Sequence, residues 1–173
     1  MAWIYENDPD NKLRFILGKK GIKPLICFGI NPSTATPDNT DRTIQSVERI
    51  AYANGFDSWI MLNVYPQRAT NPNDLDKSLN VKFHSENLEN IEKIFQEGNL
   101  SIWSAWGTLI EKRDYLKHNL YDIYLLSLRY KCNWITAGKE SIKGHPHHPL
   151  YLRKDESFRP FNINHYLENI IKI

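Results

Sequence analysis

Five short stretches of the sequence carry side chains whose types and spacing are suited to chemistry. The first is Gly29-Ile30-Asn31-Pro32-Ser33-Thr34-Ala35. Gly29 lets a ligand or another part of the chain approach closely. Pro32 biases Asn31 toward an extended conformation, so the Asn31 amide projects from a strand end and can bind a ligand or orient a water. A plain strand-to-loop turn uses the same residue types. The second is Asn63, at the end of Met61-Leu62-Asn63-Val64. Its amide needs partners at both ends; the edge of a nucleobase and nearby backbone groups are both candidates. The third, Tyr65-Pro66-Gln67-Arg68-Ala69-Thr70-Asn71-Pro72, offers Arg68 to a phosphate or carboxylate, or to a surface ion pair. The fourth is Trp106-Gly107, where Trp106 is either core or a platform for a ring. The fifth, His145-Pro146-His147-His148-Pro149-Leu150-Tyr151, has three histidines held by two prolines. Without an interleaved Cys, Asp or Glu it reads as a source of one hydrogen-bonding or acidic imidazole rather than a metal site, or as a basic surface loop.

These stretches need elements to position them. Four apolar runs, Leu25 to Ile30, Trp59 to Val64, Leu100 to Trp106 and Asn133 to Ala137, are too short for helices and read as buried strands. Helical spacing lies between them, in Arg42 to Asn54, in His84 to Gln96 with Gly98 as a stop signal, and in Thr108 to Tyr130 with an internal break. Alternation of strand and helix predicts a mostly parallel four-stranded sheet between two helical layers, a three-layer α/β/α sandwich. Trp3 to Glu6 and Lys12 to Leu17 flank a turn-rich segment and predict a hairpin beside that sheet. The segment from Phe161 to Ile173 has the spacing of a final helix. In such a sheet ligands bind beyond the carboxyl ends of the strands. The five chemical stretches follow the four predicted strands, which argues that they converge.

Composition agrees with one α/β domain over residues 1–173. Of the 173 residues, 41% are hydrophobic, enough for a core, and 24% are charged, as in ordinary globular chains. No apolar run reaches the ~20 residues of a membrane span. No signal-peptide pattern opens the sequence, and Cys27 and Cys132 lack disulfide-framework or metal spacing. A cytoplasmic protein is expected, with no membrane partner. The net charge of +2 points to no partner class. Lys139, Lys143, Arg153 and Lys154 nevertheless cluster with the histidines, and that patch is a candidate for phosphates or an ordinary solvated loop. Walker, dinucleotide, nucleophile-elbow and zincin motifs are absent. Hydride transfer and nucleoside-triphosphate hydrolysis are therefore poor expectations, and no metal or cofactor is implied.

The chain resembles the domain-of-unknown-function 1643 family in Ile30-Asn31-Pro32-Ser33-Thr34-Ala35, Asn39-Thr40-Asp41-Arg42-Thr43-Ile44, Asn63 with Tyr65, Arg68-Ala69-Thr70-Asn71-Pro72, Ala105-Trp106-Gly107 and His148-Pro149-Leu150-Tyr151. The order of motifs also resembles, more distantly, the uracil-DNA glycosylase superfamily. That resemblance implies a uracil-DNA glycosylase-like fold and hydrolysis of an N-glycosidic bond to a damaged or modified base. It implies that Asn31 holds the attacking water, that Asn63 reads the base edge, and that His148, rather than His145, stabilises the departing base. Gly29, Ile30, Phe28, Ser33, Tyr65, Trp106 and Tyr151 would line the base site. Arg68, Lys143 and His145 would meet phosphates. Asn31 stands where the most active branch has Asp; it orients water but accepts no proton. The stretch after His148 lacks a large apolar wedge, with only Leu150 or Tyr151 available, which weakens the expectation of duplex DNA. A modified base in DNA is thus the first expected substrate, a free modified nucleoside or nucleotide the second, and a binding module without catalysis the third.

Overall fold

The computed structural model describes residues 1–173. Its centre is the strand β3 (Pro24–Gly29), every residue of which is buried. An apolar strand with no polar face must be covered on both sides. Ile26 and Phe28 face one side, with Ile60 and Leu62 of β4 (Ser58–Asn63) and Ile102 of β5 (Ser101–Ser104). They pack against Ile91 and Phe95 of α2 (Val81–Phe95) and Leu116, Leu120 and Ile123 of α3 (Asp114–Arg129). Leu25 and Cys27 face the other side with Trp59, Met61 and Trp103. There they meet Ile44, Val47, Ile50 and Ala51 of α1 (Arg42–Ala53). The spacing of three and four in α1 makes this apolar stripe.

The four apolar runs form the expected parallel strands β4, β3, β5 and β6 (Asn133–Ala137), side by side. The sheet itself is larger than expected. It has seven strands in the order β1-β2-β4-β3-β5-β6-β7 and is mixed. The hairpin of β1 (Trp3–Asn7) and β2 (Arg14–Lys19) does not stand beside the sheet but extends it, through antiparallel pairing of Leu17, Gly18 and Lys19 with Met61, Ile60 and Trp59. Gly18 permits this: a Cβ there would lie 2.6 Å from the Trp59 carbonyl oxygen. At the opposite edge the short β7 (Phe158–Pro160) pairs antiparallel with β6. Its Pro160 is tolerated at an edge, where no ladder donor is needed on the outer side.

Polar caps set the helix bounds. Asp41 accepts from the Ile44 amide at 2.9 Å and starts α1. Asn80 accepts from the Phe83 amide at 3.2 Å, so α2 begins ahead of its first expected residue, His84. The break expected within Thr108 to Tyr130 falls at Lys112-Arg113. A 3-10 turn over Gly107–Glu111 precedes α3, and extended Arg113 separates them. Arg113 donates to the carbonyls of Asn73, Leu75 and Asp76, which pins the junction to the loop after β4. The last segment is a short helix α4 (Ile163–His165) running into a π-turn over Tyr166–Ile170. No helix is long and apolar enough to cross a membrane.

The chain leaves β3 to form β4 on one side and then crosses to form β5 on the other. This reversal of direction opens a crevice at the carboxyl end of β3.

Candidate functional site

A cavity of about 190 Å³ occupies that crevice. Gly29, Ile30, Asn31 and Ser33 supply the wall that follows β3. Ala69, Thr70 and Pro72 come from the loop after β4, and Trp106 and Leu109 from the segment after β5. His148 closes one side. Arg14 enters from β2, Met61 from β4, and Asp41, Thr43 and Ile44 from the start of α1.

Asn31 is both structural and available. Its Nδ2 donates to the carbonyls of Ala69 at 2.9 Å and Pro32 at 3.0 Å, with a longer contact to that of Gln67 at 3.4 Å. The Ala69 amide returns a bond to the Pro32 carbonyl at 2.9 Å, and the Ser33 and Thr70 hydroxyls meet at 3.1 Å. The turn after β3 is thereby stitched to the loop after β4. With its donors committed inward, the Asn31 side chain has only its carbonyl oxygen to offer a water or ligand.

The tautomer of His148 follows from its partner. Nδ1 accepts from the Leu150 amide at 3.2 Å, so the ring proton sits on Nε2. Burial, and then His147, lower the pKa of His148 below its ordinary value, against an opposing pull from Asp41. The ring is therefore a neutral Nε2–H donor at neutral pH. Gly107 accounts for its close approach. Gly107 has φ +63°, and a Cβ there would come within 3.4 Å of the His148 Cβ.

Arg14 is 3% exposed. Its Nη1 donates to the Ala35 carbonyl at 3.1 Å, and its Nε has no partner. Burial, together with the nearby Arg68, lowers its pKa to about 10; Asp41 acts in the opposite direction.

Several expected site residues stand elsewhere. Phe28 points into the far core against Phe95 and Trp134, because alternation along β3 sends it away from the face of Gly29. Tyr65 is buried in the same cluster, donating to Asp76 Oδ2 at 2.8 Å. Asn63 is fully buried, with neither amide atom partnered; its Oδ1 would lie 3.3 Å from a Cβ on Gly29. It lies beneath the floor of the cavity and does not line it. Arg68 is engaged within the protein: its Nη1 donates to the Ser33 carbonyl and its Nη2 to the Tyr5 hydroxyl at 2.6 Å. Tyr151 is 79% exposed, outside the cavity. Lys143 pairs with Glu111 at 3.1 Å on the surface. His145 is buried behind Trp106. Its Nδ1 meets the Tyr166 hydroxyl at 2.8 Å, and its Nε2 lies 3.3 Å from Glu111 Oε1 without hydrogen-bond alignment. Trp106 is among the lining residues, and its ring packs against Trp134, Phe161 and Tyr166 while its Nε1 donates to Tyr166 at 3.0 Å.

Sequence reasoning passed over Arg14, Asp41, Thr43 and Met61 as site residues. A charged residue directly ahead of buried Phe15-Ile16-Leu17 was a usable signal for Arg14. Asp41 looks like an ordinary helix cap until α1 is placed against the end of β3. No group of three His, Cys, Asp or Glu side chains is positioned to hold a metal ion.

Every wall of the cavity, from Arg14 to His148, falls within residues 14–150, the span matched by the family model described as "Protein of unknown function (DUF1643)". No curated protein and no solved structure matches the chain significantly. A match over most of the sequence places the chain in that family: it belongs to the DUF1643 proteins.

Proposed function

We propose that the cavity is the site of an N-glycosidic bond hydrolase that releases a damaged or modified base. The observation that carries this reading is the neutral Nε2–H donor of His148 sharing one small cavity with Asn31 and Asp41. Water held by the Asn31 carbonyl oxygen attacks the anomeric carbon of the sugar. The carbon–nitrogen bond breaks, and its electron pair leaves with the base. The His148 donor stabilises the charge developing on the base, as an oxyanion-type donor does. Asp41 takes the proton that Asn31 cannot accept. The order of motifs that resembles the uracil-DNA glycosylase superfamily supports the same chemistry and the same type of fold. The base-reading role of Asn63 requires its buried amide to become accessible past Gly29 and Met61, which line the cavity where Asn63 does not.

Charge favours a free modified nucleotide over a DNA strand. Half of the basic residues expected to meet phosphates, Lys143 and Arg153, are ion-paired, which disfavours a polyanionic strand. At about 190 Å³ the cavity is smaller than the roughly 300–1,000 Å³ of clefts that enclose drug-sized ligands, so part of a nucleotide stays outside it.

The test is release of free base, measured chromatographically, from a panel of modified bases presented in DNA and as nucleotides. His148→Ala and Asp41→Asn are expected to lower the rate about 100-fold or more each. Both variants should keep the native circular dichroism spectrum. Absence of release from every member of both panels refutes the proposal.

A further inference from the structure

Buried Arg14 and half-buried Arg68 form a cationic pair that no carboxylate bridges. Both guanidinium groups donate to one carbonyl, that of Ala35, at 3.1 and 3.5 Å. Neither makes an ion pair with a carboxylate. Like charges this close repel, and a buried charge without an ionic partner is costly. The one carboxylate nearby, Asp41, already accepts from the Ile44 amide. Two cations thus face one anion beside a cavity that Arg14 lines, and the Arg14 Nε is buried without a partner.

A second donor set meets the same cavity. The twelve-residue helix α1 begins there, with Thr43 and Ile44 in the wall. Asp41 takes only the Ile44 amide, so the amides of Arg42 and Thr43 remain orphan donors of the first turn. The positive end of the helix dipole adds to the charge of Arg14. Nothing in the proposed hydrolysis uses either feature.

We propose that Arg14 and the first turn of α1 form an oxyanion subsite inside the cavity, which takes the phosphate monoester of a small nucleotide. This rests on reading the cavity as the substrate site and narrows its substrate to a free nucleoside monophosphate, since an internal phosphodiester could not bury its phosphate this way. Tetrahedral oxygens suit the mixture of a planar guanidinium and helix amides.

Titration calorimetry on the full chain tests it, with inorganic phosphate, uridine 5′-monophosphate, adenosine 5′-monophosphate, the parent nucleosides and a single-stranded oligonucleotide as probes. At least one monophosphate should bind about 10-fold or more tightly than its nucleoside, and inorganic phosphate should compete. Arg14→Gln should remove that preference and Arg14→Lys should retain part of it. Should Arg14→Gln fail to fold, Arg14→Lys and Arg42→Pro, which removes one orphan amide at a helix position that tolerates proline, each checked by thermal melting, must weaken the monophosphate more than the nucleoside. Equal affinity for nucleoside and monophosphate, or a preference unchanged in the variants, overturns the subsite. Base release with no phosphate preference would sink the subsite alone. Phosphate preference without base release would sink only the hydrolase.

Discussion

Tyr166→Phe isolates a single buried hydroxyl. That oxygen accepts from Trp106 Nε1 at 3.0 Å and bonds His145 Nδ1 at 2.8 Å. All three residues are essentially inaccessible to solvent, and burial pushes the Tyr166 phenol up, so it stays protonated across the working range. Phenylalanine keeps the ring contacts, at centroid distances of 5.6 Å to Trp106 and 5.5 Å to Phe161. The change therefore removes polar partners and little else. Each buried group left unpaired costs about 1–3 kcal/mol, and two are left. Allowing for local relaxation, the expected loss is about 3 kcal/mol. For a chain of this size that corresponds to a fall in Tm of roughly 6–12 °C. Urea denaturation with an unchanged m-value is the assay. A double-mutant cycle with Trp106→Phe should recover part of the loss, because the indole donor then no longer needs a partner. A destabilisation below about 0.5 kcal/mol would refute the claim that this network holds Trp106 against the cavity.

Other predictions concern the cavity walls. In Gly29→Ala the new Cβ would lie 2.8 Å from Met61 Cε. Gly29 is not among the glycines with positive φ, and Met61 Cε is the far end of a flexible side chain that can shift, so the cost is small, about 1 kcal/mol or less by chemical denaturation; a loss of about 3 kcal/mol or more would show that Met61 is held rigidly against the strand end. His148 has a folded-state pKa below its unfolded value near 6.5. Its contribution to stability is therefore full above about pH 6.5 and is lost as pH falls through the folded value. The difference in unfolding free energy between wild type and His148→Gln should shift against wild type only on the acid side, and an NMR titration midpoint above 6.5 would contradict this.

The sequence was most legible where burial is uniform. Leu25 to Ile30 and Trp59 to Val64 are apolar on both faces, so strand identity and centrality follow from composition. Edges were harder to read. β7 is three residues long, and β2 joins the sheet through a contact that depends on Gly18 lacking a side chain. In the site, Gly29, Asn31, Trp106 and His148 were legible because strand-end position alone puts them at the crevice. Arg68 and Tyr65 are of types that suit a ligand, and the sequence does not show that their polar atoms bond Ser33, Tyr5 and Asp76. Separating His145 from His148 needed the fold. Gly144, with φ +88°, and the bond from the Ser141 amide to the His145 carbonyl turn the loop so that His145 faces Tyr166.

The basic segment from Lys139 to Lys154 decides what kind of phosphate the protein can meet. Lys143 is paired with Glu111 at 3.1 Å, Arg153 with Asp155 at 3.0 Å, and neighbouring Arg159 with Glu140. Pairs this exposed contribute little to stability, but they cancel the field that would draw in a polyanion. A strand-tracking protein neutralises several phosphates, and each adds about −0.7 to −0.9 to the slope of log K against log salt concentration. Here only Lys139 and Lys154 lack an acidic partner in that segment, so oligonucleotide binding should show a slope no steeper than roughly −2. A buried charge such as Arg14 behaves differently, because salt screens it weakly. Monophosphate binding should therefore persist at salt concentrations that abolish oligonucleotide binding. Fluorescence anisotropy across a salt series measures the first slope, and calorimetry across the same series measures the second. An oligonucleotide slope of about −5 or steeper would mean that the ion pairs open onto a nucleic-acid track, and the preference for a small anionic substrate would then be wrong.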